Sequence, residues 1–158
     1  TMPTRLEEML ERGAEPTNLY ISLYGPDEKT HENVAQPLFS KTWERVIDSV
    51  RLMPSFKRSR TVARLTLVKG QNMHDAEGYS KLILEGTPSV IELKGYSWLG
   101  ESKERLPIHA MPYQSEIREF ARRIEKATGY GIVAEDAVSR VILLTRDATE
   151  ARLLLDNS

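Results

Sequence analysis

The sequence contains no cysteine, which excludes disulfides, a thiolate nucleophile and any iron–sulfur cluster ligated by cysteines of this chain. Histidine is scarce as well. His31, His74 and His109 stand 43 and 35 residues apart, a separation that matches no zinc-ligand spacing. Charge of one sign is also lacking: 22 Lys and Arg against 23 Asp and Glu leave a formal net charge of −1. No global field therefore draws the chain to DNA, RNA or an anionic membrane, and any such contact must be local. No apolar run approaches the roughly 18 residues of a membrane helix, and no signal-peptide pattern opens the chain. A cytoplasmic location is expected, with neither membrane nor DNA as a partner.

What is present describes a soluble globular protein. An apolar share of 40% over 158 residues is enough to bury one real core. Thr4-Arg-Leu-Glu7 predicts a capping box, with Leu6, Met9 and Leu10 as one apolar stripe before Gly13. Residues 18–24 predict a strand with Leu19, Ile21 and Leu23 on one face and Tyr20, Ser22 and Tyr24 on the other. Residues 27–37 are polar and predict a loop with a short helical turn. Ser40 is expected to cap a helix in which Trp43, Val46, Ile47 and Val50 recur at helical spacing. A second strand, 61–69, sets Ala63, Leu65 and Leu67 against Arg64, Thr66 and Val68. Asn72 or Asp75 starts the next helix, which carries Ala76, Tyr79, Leu82 and Ile83.

The third strand begins at Ser89-Val-Ile-Glu-Leu-Lys-Gly95. It turns Val90, Glu92 and Lys94 to one side and Ile91 and Leu93 to the other, the pattern of a functional strand end in an α/β protein or of a half-exposed strand facing water. Strand, helix, strand, helix, strand in succession predicts parallel pairing with right-handed crossovers. Each strand pairs an apolar face with a polar one, as expected where the polar face lines a barrel, and a closed barrel needs about 200 residues at least. The fold expected is therefore α/β, a partial TIM-like barrel over residues 1–106. A C-terminal extension over 107–158 would pack on it: a helix capped by Ser115 that buries Ile117, Phe120, Ala121 and Ile124, then a β-hairpin from strands 130–134 and 140–145. Residues 148–155 have helical composition and no assigned place.

Several stretches carry a family likeness. Leu19-Tyr-Ile-Ser-Leu23, Pro37-Leu38, Trp43-Glu-Arg45, the block Arg60-Thr-Val-Ala-Arg-Leu-Thr-Leu-Val-Lys-Gly70 with Asn72-Met73, and Ile91-Glu-Leu-Lys-Gly95 with Gly100-Glu-Ser102 resemble the C-terminal half of the tRNA 4-demethylwyosine synthases, a family of radical S-adenosylmethionine enzymes. Met111-Pro112, Ala134-Glu135 and Ser139-Arg140 continue the likeness, which covers roughly residues 16–144. The resemblance implies the second half of a radical S-adenosylmethionine barrel. It implies an activity that condenses pyruvate carbons with N1-methylguanosine next to the anticodon of tRNA(Phe) to form 4-demethylwyosine. It also implies S-adenosylmethionine and a 4Fe-4S cluster in the full-length family member, with neither held by this chain alone, which is expected to be inactive. The chain departs from the family pattern at Tyr24-Gly25 and at Asp136, so no contact is assigned there.

By the same resemblance Ser22, Arg64, Thr66 and Glu92 are the cofactor-binding candidates. An arginine can grip a carboxylate through two parallel hydrogen bonds, and Ser or Glu can take an ammonium or ribose hydroxyls. Arg64 and Glu92 alternatively form an internal ion pair that only satisfies the barrel. Lys69 and Lys94 are the catalytic candidates, binding pyruvate's carboxylate or forming a Schiff base with it. Lys57, Arg58, Arg60, Lys103 and Arg105 are candidates for RNA phosphates, and Tyr96 and Trp98 for stacking on an everted base. The partners expected are tRNA and either a cysteine-bearing N-terminal half or a second copy. The second hypothesis is a cysteine-free, non-catalytic half-barrel module that binds RNA or a small molecule.

Overall fold

A computed structural model describes residues 2–147 and 149–150; most of the unplaced 148–155 segment lies outside them. Among these residues six α-helices and five strands follow in the order α1 (Pro3–Glu11), β1 (Asn18–Leu23), α2 (Glu28–Ala35), α3 (Thr42–Leu52), β2 (Arg60–Leu67), α4 (Ala76–Gly86), β3 (Val90–Gly95), α5 (Ser102–Arg105), α6 (Gln114–Thr128), β4 (Gly131–Asp136) and β5 (Val141–Thr145). The strands form one mixed sheet of order β1-β2-β3-β5-β4. β1, β2 and β3 are parallel neighbours, and the β4–β5 hairpin adds on antiparallel through β5.

The expected alternation holds along β1, while in β2 and β3 it holds in residue type only, since Val62, Val90 and Glu92 on the second face are buried too. Ile21, Leu65, Ile91 and Leu93 have lost all exposure, and they join Ile142 and Leu144 of β5 in one core with side chains of α1, α3, α4 and α6. Full burial of one such side chain is worth about 1.5–3 kcal/mol, so this layer fixes the register. The opposite face of the sheet carries the polar set. Strand register aligns it in rows: Ser22, Arg64, Glu92 and Leu143 form one, and Thr66, Lys94 and Val141 the next.

Several boundaries differ from expectation. Pro3 occupies the first turn of α1, and Met2 makes no side-chain cap, so Thr4-Glu7 is not a capping box. Lys41, in a left-handed conformation, precedes α3 in place of a Ser40 cap. α6 starts at Gln114, before Ser115, where the Glu116 carboxylate reaches back to accept from the Tyr113 N–H at 2.8 Å. Residues 28–35 are a full helix whose Asp27 side chain accepts from the N–H and hydroxyl of Thr30. Asp75 caps α4 by accepting from the Gly78 N–H.

Asn72, the other candidate cap, has a different use. It is fully buried, donates to the carbonyls of Tyr24 and Thr66 at 2.9 and 2.8 Å, and accepts from the Val68 N–H at 2.7 Å. One side chain thereby ties the ends of β1 and β2. Gly95 closes β3 where space is tight: a Cβ there would lie 2.8 Å from Ile117 Cδ1 and 3.2 Å from both Pro112 Cγ and Arg140 Cβ.

Candidate functional site

The centre of the open face is an ion pair. Arg64 Nη2 donates to Glu92 Oε2 at 3.1 Å, and Arg64 Nε lies 2.9 Å from Oε1 without its N–H pointing at it. The guanidinium also stacks on the Tyr20 ring, 4.6 Å from its centroid. Glu92 is 7% exposed, so it does not simply face water, whereas a third of the Arg64 side chain is open. Arg64 is therefore held flat between an aromatic ring and a buried carboxylate, its outer edge toward solvent, a pre-set fork for a carboxylate.

Register sets Ser22 beside Arg64 and Lys94 beside Thr66. Beyond Ser22, a cleft of about 490 Å³ runs to the β1 edge between Tyr20, Tyr24, His31, Phe39 and Arg45. His31 is packed between Tyr24 and Trp43, with ring centroids 6.2 and 5.6 Å away. Its Nδ1 is buried without a partner among the described residues. Burial pushes this imidazole below its ordinary pKa, and Glu32 opposes the shift.

Of the two catalytic candidates, Lys69 lies past the end of β2 and is engaged. Its Nζ is 2.6 Å from Glu116 Oε1 and 5.1 Å from the Tyr113 ring centroid. That bond, with the Tyr113 N–H, holds the Glu116 carboxyl below the usual carboxylate range. Lys94 stands on the open face, half-buried, with no carboxylate at ion-pair distance among the described residues.

The RNA candidates split into two groups. Lys57, Arg58 and Arg60 lie at the start of β2, and the eight residues of that strand put about 23 Å between them and its far end. Arg58 is tied to Glu15 and Gly13, and Arg60 to Glu150 at 2.6 Å; Lys57 is exposed. The other group follows β3 on the site's own side. There Tyr96 is buried with its hydroxyl bonded to Ser102 at 3.1 Å, so its ring is not free to stack. Trp98 donates to the Leu106 carbonyl at 3.0 Å and is covered by Lys103 at 4.7 Å, while Arg105 donates to Gln36.

A second cleft, of about 500 Å³, opens where β3 ends, between the start of α6 and the hairpin. Lys69, His109, Tyr113, Gln114 and Arg140 line it. Apart from Lys69, these residues were missed from sequence. The signals that bear on them are the quoted dipeptides Met111-Pro112 and Ser139-Arg140, which flank this cleft.

The donor set does not fit an iron–sulfur cluster. The sequence has no cysteine, and among the described residues no group of three His, Asp or Glu is placed to hold a metal. The Ser22, Arg64 and Glu92 row does fit the amino-acid part of a cofactor. No helix among the described residues is long and apolar enough to cross a membrane.

Comparison with known proteins defines the class first. Residues 85–146, from the end of α4 through β5, match the family model for wyosine base formation. The chain is 46% identical over 148 residues to the S-adenosyl-L-methionine-dependent tRNA 4-demethylwyosine synthase of Pyrococcus horikoshii, covering 93% of this chain and 43% of that one. With the human protein of that name identity is 33%, over 84% of this chain and 18% of that one. Among solved structures, TYW1 with a lysine-pyruvate adduct bound superposes with a TM-score of 0.71 at 29% identity, covering 83% of this chain and 41% of that one. Archaeal TYW1 gives 0.68 at 27% identity, over 89% and 43%. The chain belongs to the tRNA 4-demethylwyosine synthase family, of which it represents the C-terminal part, and it spans less than half the length of these relatives.

Proposed function

We propose that this chain forms the C-terminal part of a tRNA-modifying radical S-adenosylmethionine enzyme that joins pyruvate carbons to N1-methylguanosine beside the anticodon of tRNA(Phe). The observation that carries the reading is the register row Ser22, Arg64, Glu92 on a sheet face left uncovered by the core helices, in a chain so similar to such synthases. Residues 1–106 are then half of a barrel. The outer edge of β1 is where a strand of the other half would continue the parallel sheet, since an unpaired strand edge is otherwise a template for unwanted pairing. Residues 107–158 are the extension.

Within this reading each residue has a task that its surroundings support. Arg64 grips the carboxylate of S-adenosylmethionine. Glu92 acts on the ligand through Arg64 by fixing the fork, and Ser22 and Thr66 offer hydroxyls to the cofactor's polar groups. S-adenosylmethionine supplies a radical when cleaved, with an iron–sulfur cluster held outside this chain. Lys94 is better suited than Lys69 to meet pyruvate, because Lys69 already answers Glu116. A free amine near neutrality is what a Schiff base needs, and a carboxylate partner opposes it.

The test uses the full-length protein, reconstituted with cluster and supplied with pyruvate, S-adenosylmethionine, reductant and tRNA(Phe) carrying N1-methylguanosine. Nucleoside mass spectrometry should show 4-demethylwyosine, and Arg64→Ala should abolish it while tRNA binding persists. Borohydride trapping with labelled pyruvate should mark the Lys94 peptide; a mark on another peptide removes Lys94 from that role. A protein that binds tRNA and never gives product supports the binding-module alternative instead.

A further inference from the structure

Tyr20 stands on the polar face of β1 with 49% of its surface exposed, and it belongs to neither of the apolar clusters formed by the described residues. It therefore adds little to the core. Register pairs Tyr20 with Val62 and Ser22 with Arg64. Tyr20 and Arg64 are thus diagonal neighbours on adjacent strands, a separation that an aromatic ring and a long side chain can bridge. They do bridge it. The guanidinium carbon lies 4.6 Å from the ring centroid, within the range at which a cation is drawn to an aromatic face.

The guanidinium is bounded on two sides by different means. Glu92 sits against its Nε–Nη2 side, with Nη2 donating to Oε2 at 3.1 Å, and the Tyr20 ring covers one of its faces. The end formed by Nη1 and the second Nη2 hydrogen meets no other carboxylate among the described residues. Because a third of the Arg64 side chain is open, the contact to Glu92 alone would let the guanidinium plane pivot. The ring removes that pivot, since a planar cation stacks flat on an aromatic surface. Holding a flexible side chain in its binding geometry beforehand raises affinity, because less ordering is left to be done on association.

We infer that Tyr20 is a positioning residue for the cofactor: it fixes the plane of the Arg64 guanidinium so that the free Nη1–Nη2 end meets the carboxylate of S-adenosylmethionine with two parallel hydrogen bonds. The inference rests on the reading that Arg64 grips that carboxylate. Glu92 sets where the guanidinium lies, and Tyr20 sets how it is turned. The ring carries the task, not the hydroxyl, and no covalent step is involved.

The experiment measures the affinity of the full-length, cluster-reconstituted protein for S-adenosylmethionine by calorimetry, beside its affinity for the decarboxylated form of that ligand. Tyr20→Leu and Tyr20→Gln, one apolar and one polar and both without an aromatic face, should weaken S-adenosylmethionine binding about fivefold and change binding of the decarboxylated form by less than about twofold. Tyr20→Phe keeps the ring and should bind both ligands as the parent does. Arg64→Ala should remove the preference for the carboxylate-bearing ligand. If Tyr20→Leu and Tyr20→Gln weaken both ligands by the same factor, Tyr20 serves the fold and the inference falls. It falls too if both variants bind S-adenosylmethionine within about twofold of the parent while Arg64→Ala loses the preference, and the functional reading then stands. A loss in Tyr20→Phe as large as in Tyr20→Leu assigns the effect to the hydroxyl and overturns the inference. If Arg64→Ala keeps the parent's preference, Arg64 does not grip the carboxylate and both readings fall.

Discussion

The two faces of the sheet are made by the same five strands on opposite terms. On the covered face, Ile21, Leu65, Ile91, Leu93 and Ile142 have no exposure and belong to one apolar core. On the other, one residue along in each case, stand Tyr20 at 49% exposure, Arg64, Glu92, Lys94 and Leu143. Stability is concentrated on the first face because apolar area removed from water is the dominant favourable term. Charged and polar groups are concentrated on the second, where the buried Glu92 carboxylate pairs with the partly open Arg64 guanidinium, and the function proposed above puts recognition there. Position along a strand thus decides which cost a substitution incurs.

The contrast is sharpest for Leu65→Ala, which should destabilise the protein by about 2–5 kcal/mol in urea unfolding through lost transfer energy and a cavity. A cost under about 1 kcal/mol would mean the covered face is loosely packed. Gly95→Ala sits at the junction of the faces. Its Cβ has no room against Ile117, Pro112 and Arg140, and the overpacking should cost about 1–3 kcal/mol while disturbing the second cleft. Glu92→Gln crosses to the open face. It should cost only about 1 kcal/mol, since Arg64 keeps access to water, but reduce S-adenosylmethionine binding by the full-length enzyme far more than Leu65→Ala does. Equal losses in binding would erase the division between the faces.

The smallest effect is one of pH. Burial lowers the His31 pKa in the folded state, so the unfolded chain binds the proton more readily. Stability should then be level above about pH 6.5 and fall as pH drops below that ordinary histidine value. His31→Gln should flatten the dependence of the urea midpoint between pH 7.5 and 5.5, a window in which carboxylates stay ionised. An unchanged slope would show that His31 is hydrated.

Much of this was legible in the sequence. The period of two in Leu19-Ile21-Leu23 and Ala63-Leu65-Leu67 fixed both faces of β1 and β2, because a one-residue slip would expose the whole apolar set. The β4–β5 hairpin was read from two short apolar runs around a polar turn. Helix starts were legible only in part: Asp75, one of two candidates, does cap α4. Thr4, Ser40 and Ser115 are good capping types, but a cap must itself sit at the helix boundary with non-helical backbone, and Met2, Lys41 and Tyr113 hold those positions. Residues 28–35 escaped because their helix buries only Thr30 and His31, leaving little apolar periodicity. At the candidate site, Ser22, Arg64 and Glu92 came from the family resemblance, and the strand register sets them in one row. Gln114 and Arg140 were not found, since they meet Lys69 only through tertiary folding.

Asn72 has a consequence for motion. The Val68 amide hydrogen is held by a side chain deep in the protein, and the same amide group clamps the carbonyls of Tyr24, just past β1, and Thr66, near the end of β2. Opening that corner means breaking three bonds in one event, so its deuterium uptake should be as slow as that of a central strand, although it lies in a turn. The corner where β1 and β2 run out is thus a fixed point of the fold.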